Sequence, residues 1–118
     1  MYDVEAVLGP SVTRFVDRYV NSLLAWDIIV FFERNPDARL ENHELAASLG
    51  RHPEQTAPEV AHLCDGGILH CQGSEVAFGP DSEQAEAIQG FVNACEDHSK
   101  RLALIAMVLH RIGPTSAA

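Results

Sequence analysis

Over residues 11–20, Val12, Phe15, Val16 and Tyr19 recur at helical spacing, with Arg14, Asp17 and Arg18 on the opposite side. That period predicts an amphipathic helix. Asn21 and Ser22 are good cap residues, so a second helix is expected from Leu23, ending near Asn35-Pro36. Residues 23–32 are apolar almost all round, which requires cover on every side; part of it is expected from a second copy of the chain. Arg39-Leu40-Glu41 alternates like a very short strand. Asn42 is expected to cap a helix over 43–49, with Leu45, Ala46 and Leu49 inward and Gly50 as its left-handed stop. Thr56 and Glu59 fit a capping box, and Pro58 is tolerated in a first turn, so the next helix is expected to open at Ala57. It carries Val60, Ala61, Leu63 and Cys64 and ends at Gly66-Gly67.

Residues 68–71 and 75–78 alternate as two strands around Gly73-Ser74, the composition of a tight hairpin with glycine first. Asp81-Ser82 then caps a long helix expected to reach Ile112, before Gly113-Pro114 stops it and leaves a frayed tail. Its apolar positions Ile88, Val92, Cys95, Leu102, Ala106 and Leu109, with Ser99 among them, step by four and three like a coiled-coil seam. Gly90 within it permits close approach of another helix.

The chain has 118 residues, which suits one domain over 1–118. Its parts are helices over 11–34, two helices and a hairpin over 39–80, and a last helix over 81–112. The start of the chain has no basic and apolar leader pattern, and the longest apolar run, 102–109, is too short for a membrane span. Three cysteines at irregular spacing predict reduced thiols and a cytoplasmic setting. The net charge of −9 disfavours nucleic acid and anionic membranes as partners unless a local basic patch intervenes.

Glu44-Leu45-Ala46-Ala47-Ser48-Leu49-Gly50, followed by Val60-Ala61-His62-Leu63-Cys64-Asp65-Gly66-Gly67-Ile68-Leu69, resembles the core of the MarR-like winged helix-turn-helix regulators. The fold class implied is mainly α with a small β-hairpin: a winged helix-turn-helix with extra N- and C-terminal dimerisation helices. The resemblance also implies a cytoplasmic homodimer that binds DNA to regulate transcription. Arg51 and His52 in the turn, Gln55, Thr56, Glu59 and His62 on the second helix, and Gln72 and Ser74 at the wing would then meet DNA. Trp26, Ile88, Phe91, Val92, Cys95, Leu102, Ile105 and Leu109 would form the dimer interface.

Charge opposes the DNA expectation. Between residues 41 and 80 the only Lys or Arg is Arg51, against six acids, a net of −5. DNA affinity comes mostly from cations on phosphates. The alternative is a winged helix that does not bind DNA and uses its acidic face to recognise a protein.

Other clusters carry less. His62, Cys64, His70 and Cys71 are metal-ligand types, but residues two apart on a helix and adjacent on a strand face different ways, so no metal and no cofactor is expected. The cysteines read as packing residues, Cys95 beside Glu96 and Asp97 being poorly placed as a redox sensor. Asp27 next to Trp26 suits either a ligand site between the dimer helices or a carboxylate favoured by the helix N-terminus. His98 and His110 could serve a pH-dependent subunit contact or be solvated. No phosphate loop, nucleophile elbow or catalytic carboxylate pair is present, so no enzyme is expected.

Overall fold

The computed structural model describes the backbone of residues 4–117 and the side chains of residues 6–109. The leader-free reading of Met1-Tyr2-Asp3 and the expectation for the His110 side chain lie outside these. The chain is mainly helical with a small three-stranded antiparallel sheet. Its order is α1 (Val4–Leu8), α2 (Pro10–Tyr19), α3 (Leu23–Arg34), β1 (Arg39–Glu41), α4 (Asn42–Leu49), α5 (Pro53–Asp65), β2 (Leu69–Gln72), β3 (Glu75–Phe78), α6 (Ser82–Glu96) and α7 (His98–Ala117).

The sheet order is β1-β3-β2. β2 and β3 form the expected hairpin, with Gln72 opposite Glu75 and Gly73 at φ 64°. The short strand does not stand alone: Arg39, Leu40 and Glu41 pair with Ala77, Val76 and Glu75.

The α3 helix begins where expected, with Ser22 Oγ accepting from Ala25 N at 3.0 Å. Ala25, Ile28, Ile29 and Phe32 are fully buried. Each of the three large side chains is worth about 1.5–3 kcal/mol of burial. The remaining face is covered in part from within the same chain: Trp26 meets Phe91 of α6 edge-on at 5.3 Å, while Leu23 is 40% exposed. α6 thus supplies part of the cover that this helix requires.

The two helices α4 and α5 both start elsewhere than expected. Glu41, not Asn42, precedes the first turn of α4, its N–H donating to Glu44 Oε1 at 2.9 Å. The α5 helix opens at Pro53, one turn before Ala57, with His52 as cap and its N–H donating to Gln55 Oε1. Pro53 supplies the fixed φ of a first helical residue. Pro58 lies inside the helix, at the loss of one backbone hydrogen bond. Thr56 is not a cap: it is fully buried, and its single hydroxyl proton goes either to Pro53 O at 3.0 Å or to Asn42 Oδ1 at 3.2 Å. Asn42 Nδ2 also donates to Pro53 O, so the two residues lock α4 to α5. Thr56→Val should cost about 1 kcal/mol by removing the hydroxyl that bonds Pro53 O or Asn42 Oδ1 between α5 and α4, read as a lower urea midpoint.

The long final helix is broken. Asp97 adopts an extended conformation (φ −93°, ψ 124°) and caps α7, its Oδ1 accepting from Lys100 N at 3.0 Å. The break ends the coiled-coil phase: Ala103, Leu104 and Val108 are buried, whereas Leu102 and Leu109 are exposed. The α7 helix also continues through Gly113-Pro114 to Ala117 instead of stopping there. Gly90 does permit close approach: a Cβ there would lie 3.2 Å from Val12 of α2. One hydrophobic cluster draws on α1 to α7, β2 and β3.

Candidate interaction surface

The α5 helix packs on α3, α4 and β2, which fixes the faces it can show. Thr56, Val60 and Leu63 point inward. Glu54, Ala57, Pro58, Ala61 and Asp65 are exposed and follow the spacing of one stripe along the opposite side. This outward stripe has a carboxylate at each end and small apolar groups between, with no side-chain donor for a base edge.

The residues expected to meet DNA are dispersed. Thr56 is buried, and Glu59 and His62 are half-buried, with Glu59 Oε2 and His62 Nε2 enclosed without hydrogen-bond partners. Gln55 and His52 are exposed, but the Gln55 carbonyl is held by the cap. Arg51 lies 3.8 Å from Asp27, so the one Lys or Arg between residues 41 and 80 already has a carboxylate beside it. The hairpin tip is tied back: Asn42 N donates to Ser74 O at 3.2 Å, and the Ser74 hydroxyl donates to the Glu41 carboxylate. Gln72 is exposed, while Arg39 faces Glu75 at 3.8 Å.

The residues expected at the dimer interface also divide. Ile88, Phe91 and Val92 are buried inside this chain, and Trp26, Cys95 and Ile105 are half-buried. Leu102 and Leu109, 54% and 47% exposed, remain on the surface. No helix among the described residues is long and apolar enough to cross a membrane.

A groove of ≈ 730 Å³ lies between α3, α4, α6 and α7, lined by Trp26, Asp27, Phe31, Arg34, Cys95 and Arg101 among others. Burial raises the Asp27 carboxyl above its ordinary value, and Arg51 only partly offsets this. A raised acid contributes stability that is fully present below the ordinary pKa of 3.8 and is lost as pH rises through the folded value. Asp27→Asn should therefore equal the parent in acid and exceed it progressively toward neutrality, in urea melts run from about pH 3 to pH 7. Burial likewise pushes the Cys95 thiol up to about 11, so at neutral pH it stays protonated and unreactive.

Cys64 and Cys71 are joined by a disulfide, their Cα atoms 6.0 Å apart. This corrects the expectation of reduced thiols. Cys71 is also exposed, not a buried packing residue. The Gly66-Gly67 turn folds β2 back against the end of α5, which brings the two sulfurs together. Among the described residues no three His, Cys, Asp or Glu side chains gather as a metal-ligand set. Comparison with protein-family models, with curated proteins and with solved structures returns no match.

Proposed function

We propose that the chain is a winged helix-turn-helix domain whose α5 face docks onto a protein rather than onto DNA. The element order and the hairpin after α5 support the winged-helix layout. The outward stripe from Glu54 to Asp65 carries the choice of partner. A helix in the major groove needs donors and acceptors for base edges and cations for phosphates. The outward stripe of α5 offers carboxylates, methyl groups and a proline ring. Such a face suits a protein surface with apolar side chains at its centre and Lys or Arg at its margins. In this reading two copies pair through α7, where Leu102, Ile105 and Leu109 lie one helical turn apart.

A DNA-binding regulator like those of the MarR type is the second reading. It draws on the exposed His52 and Gln55 at the start of α5. Fluorescence anisotropy with mixed genomic duplex separates the two. The docking reading expects no binding tighter than about 10⁻⁴ M even at low salt. It also expects Arg51→Glu to change nothing. Micromolar binding that weakens steeply with salt and is lost in Arg51→Glu would overturn it.

A further inference from the structure

We propose that the Cys64–Cys71 disulfide is a site of reversible thiol–disulfide exchange, open to a dithiol in the folded chain, that fixes the edge of the sheet to α5. The bond itself does not depend on what α5 docks against.

Three observations lead here. The first is access. Leu69, Cys71, Val76 and Phe78 share one face of the hairpin by strand alternation and register. Leu69 and Val76 are buried, but Cys71 is closer to the tip and exposed, whereas Cys64 is half-buried. An attacking thiolate therefore reaches Cys71 first. The second is position. β2 is an edge strand, held on one side by β3 alone. From the face it shares with Leu69, the disulfide is a covalent tie from this strand to the last turn of α5.

The third is redundancy for folding. The turn between the two cysteines closes without the bond. Gly67 N donates to Cys64 O at 3.1 Å, Ile68 N to Leu63 O at 3.0 Å, and Gly79 N to Ile68 O at 3.0 Å. Leu63, Ile68 and Leu69 are all buried. The disulfide closes a separation of only seven residues, the short-loop case in which a crosslink restricts the unfolded chain least. Reduction thus leaves the core standing and frees the strand edge.

The exchange balances with a dithiol as the reductant. One thiolate of the dithiol attacks Cys71 Sγ; the S–S bond breaks, and Cys64 leaves as a thiolate that takes up a proton. The second thiol of the reagent then displaces Cys71, which is protonated in turn. Two electrons and two protons pass to the protein, and the dithiol ends as its own disulfide. Cys95 takes no part, being half-buried in the groove across the fold.

The test uses the full chain carrying Cys95→Ser, so that only the pair remains. Air-oxidised protein, unfolded in denaturant without reductant, should show no thiol toward a chromogenic aryl disulfide. After dithiothreitol under native conditions it should show two, with unchanged helical circular dichroism. Amide exchange over 69–72 should quicken on the order of tenfold, with residues 28–32 unaffected. Glutathione disulfide should restore the slow exchange. The Cys64→Ser/Cys71→Ser double variant should fold and match the reduced form. Two free thiols in the oxidised, unfolded chain would overturn the proposal. So would reduction only at the rate of global unfolding, equal exchange in both forms, or a double variant that does not fold.

Discussion

Phe32→Ala should destabilise the protein by about 3–5 kcal/mol, read as a fall in the urea midpoint with an unchanged slope. Phe32 is fully buried near the end of α3. Its ring meets Phe31 edge-on at 5.2 Å and stacks with Phe78 of β3 at 6.1 Å. It is therefore the seat on which the sheet rests against the helices. Removing it empties a ring-sized space between two layers that cannot both move inward. The loss is a large part of the ~5–15 kcal/mol that holds a domain of this size together. The hairpin should loosen before the helices do, visible as exchange over 69–78 at denaturant levels where α3 stays protected.

Gly66→Ala should be the second costly change, at about 1–3 kcal/mol through overpacking. The reason is not backbone freedom, because Gly66 has ordinary helical angles (φ −81°, ψ −8°). A Cβ there would stand 2.6 Å from Cε1 and 3.1 Å from Cδ1 of Tyr19. That ring has little room to retreat. It is buried against Phe15 at 5.2 Å, and its hydroxyl accepts from Gln84 Nε2 at 3.3 Å. The same amide nitrogen donates to Gly66 O at 2.7 Å, so α2, α5 and α6 meet at one point. Thermal melts should show the loss. Tyr19→Leu in the same background should recover part of it if the clash is the cause.

Much of the element order was legible because short-range patterns agreed with long-range packing. Arg39 to Glu41, the stop at Gly50 (φ 69°) and the Gly73-Ser74 turn all stand where alternation and turn chemistry put them. The start of α5 is ambiguous in sequence because two overlapping signals compete. Thr56-x-x-Glu59 fits a capping box, and so does His52-x-x-Gln55 with a proline at the first helical position. The tertiary bond from Thr56 to Asn42, fourteen residues away, favours the earlier start. The same bond turns the helix: polar Thr56 is drawn inward to the half-buried Asn42, and Ala57, Pro58 and Ala61 take the surface. The break at Asp97 escaped because heptad spacing carries no information on whether a helix bends. The disulfide needed the path of the Gly66-Gly67 turn, which spacing alone does not give.

That break at Asp97 has a consequence for folding order. A continuous rod over 82–117 would extend about 54 Å, beyond the 44 Å longest dimension of the molecule. Folding back at residue 97 instead lays α7 against α1. These two elements lie some ninety residues apart along the chain, so their meeting closes the largest loop in the structure and bears its highest entropic cost. The α1–α7 seam should accordingly zip up last and fray first, shielding or baring Leu8 without disturbing the helix pair and sheet at the other end.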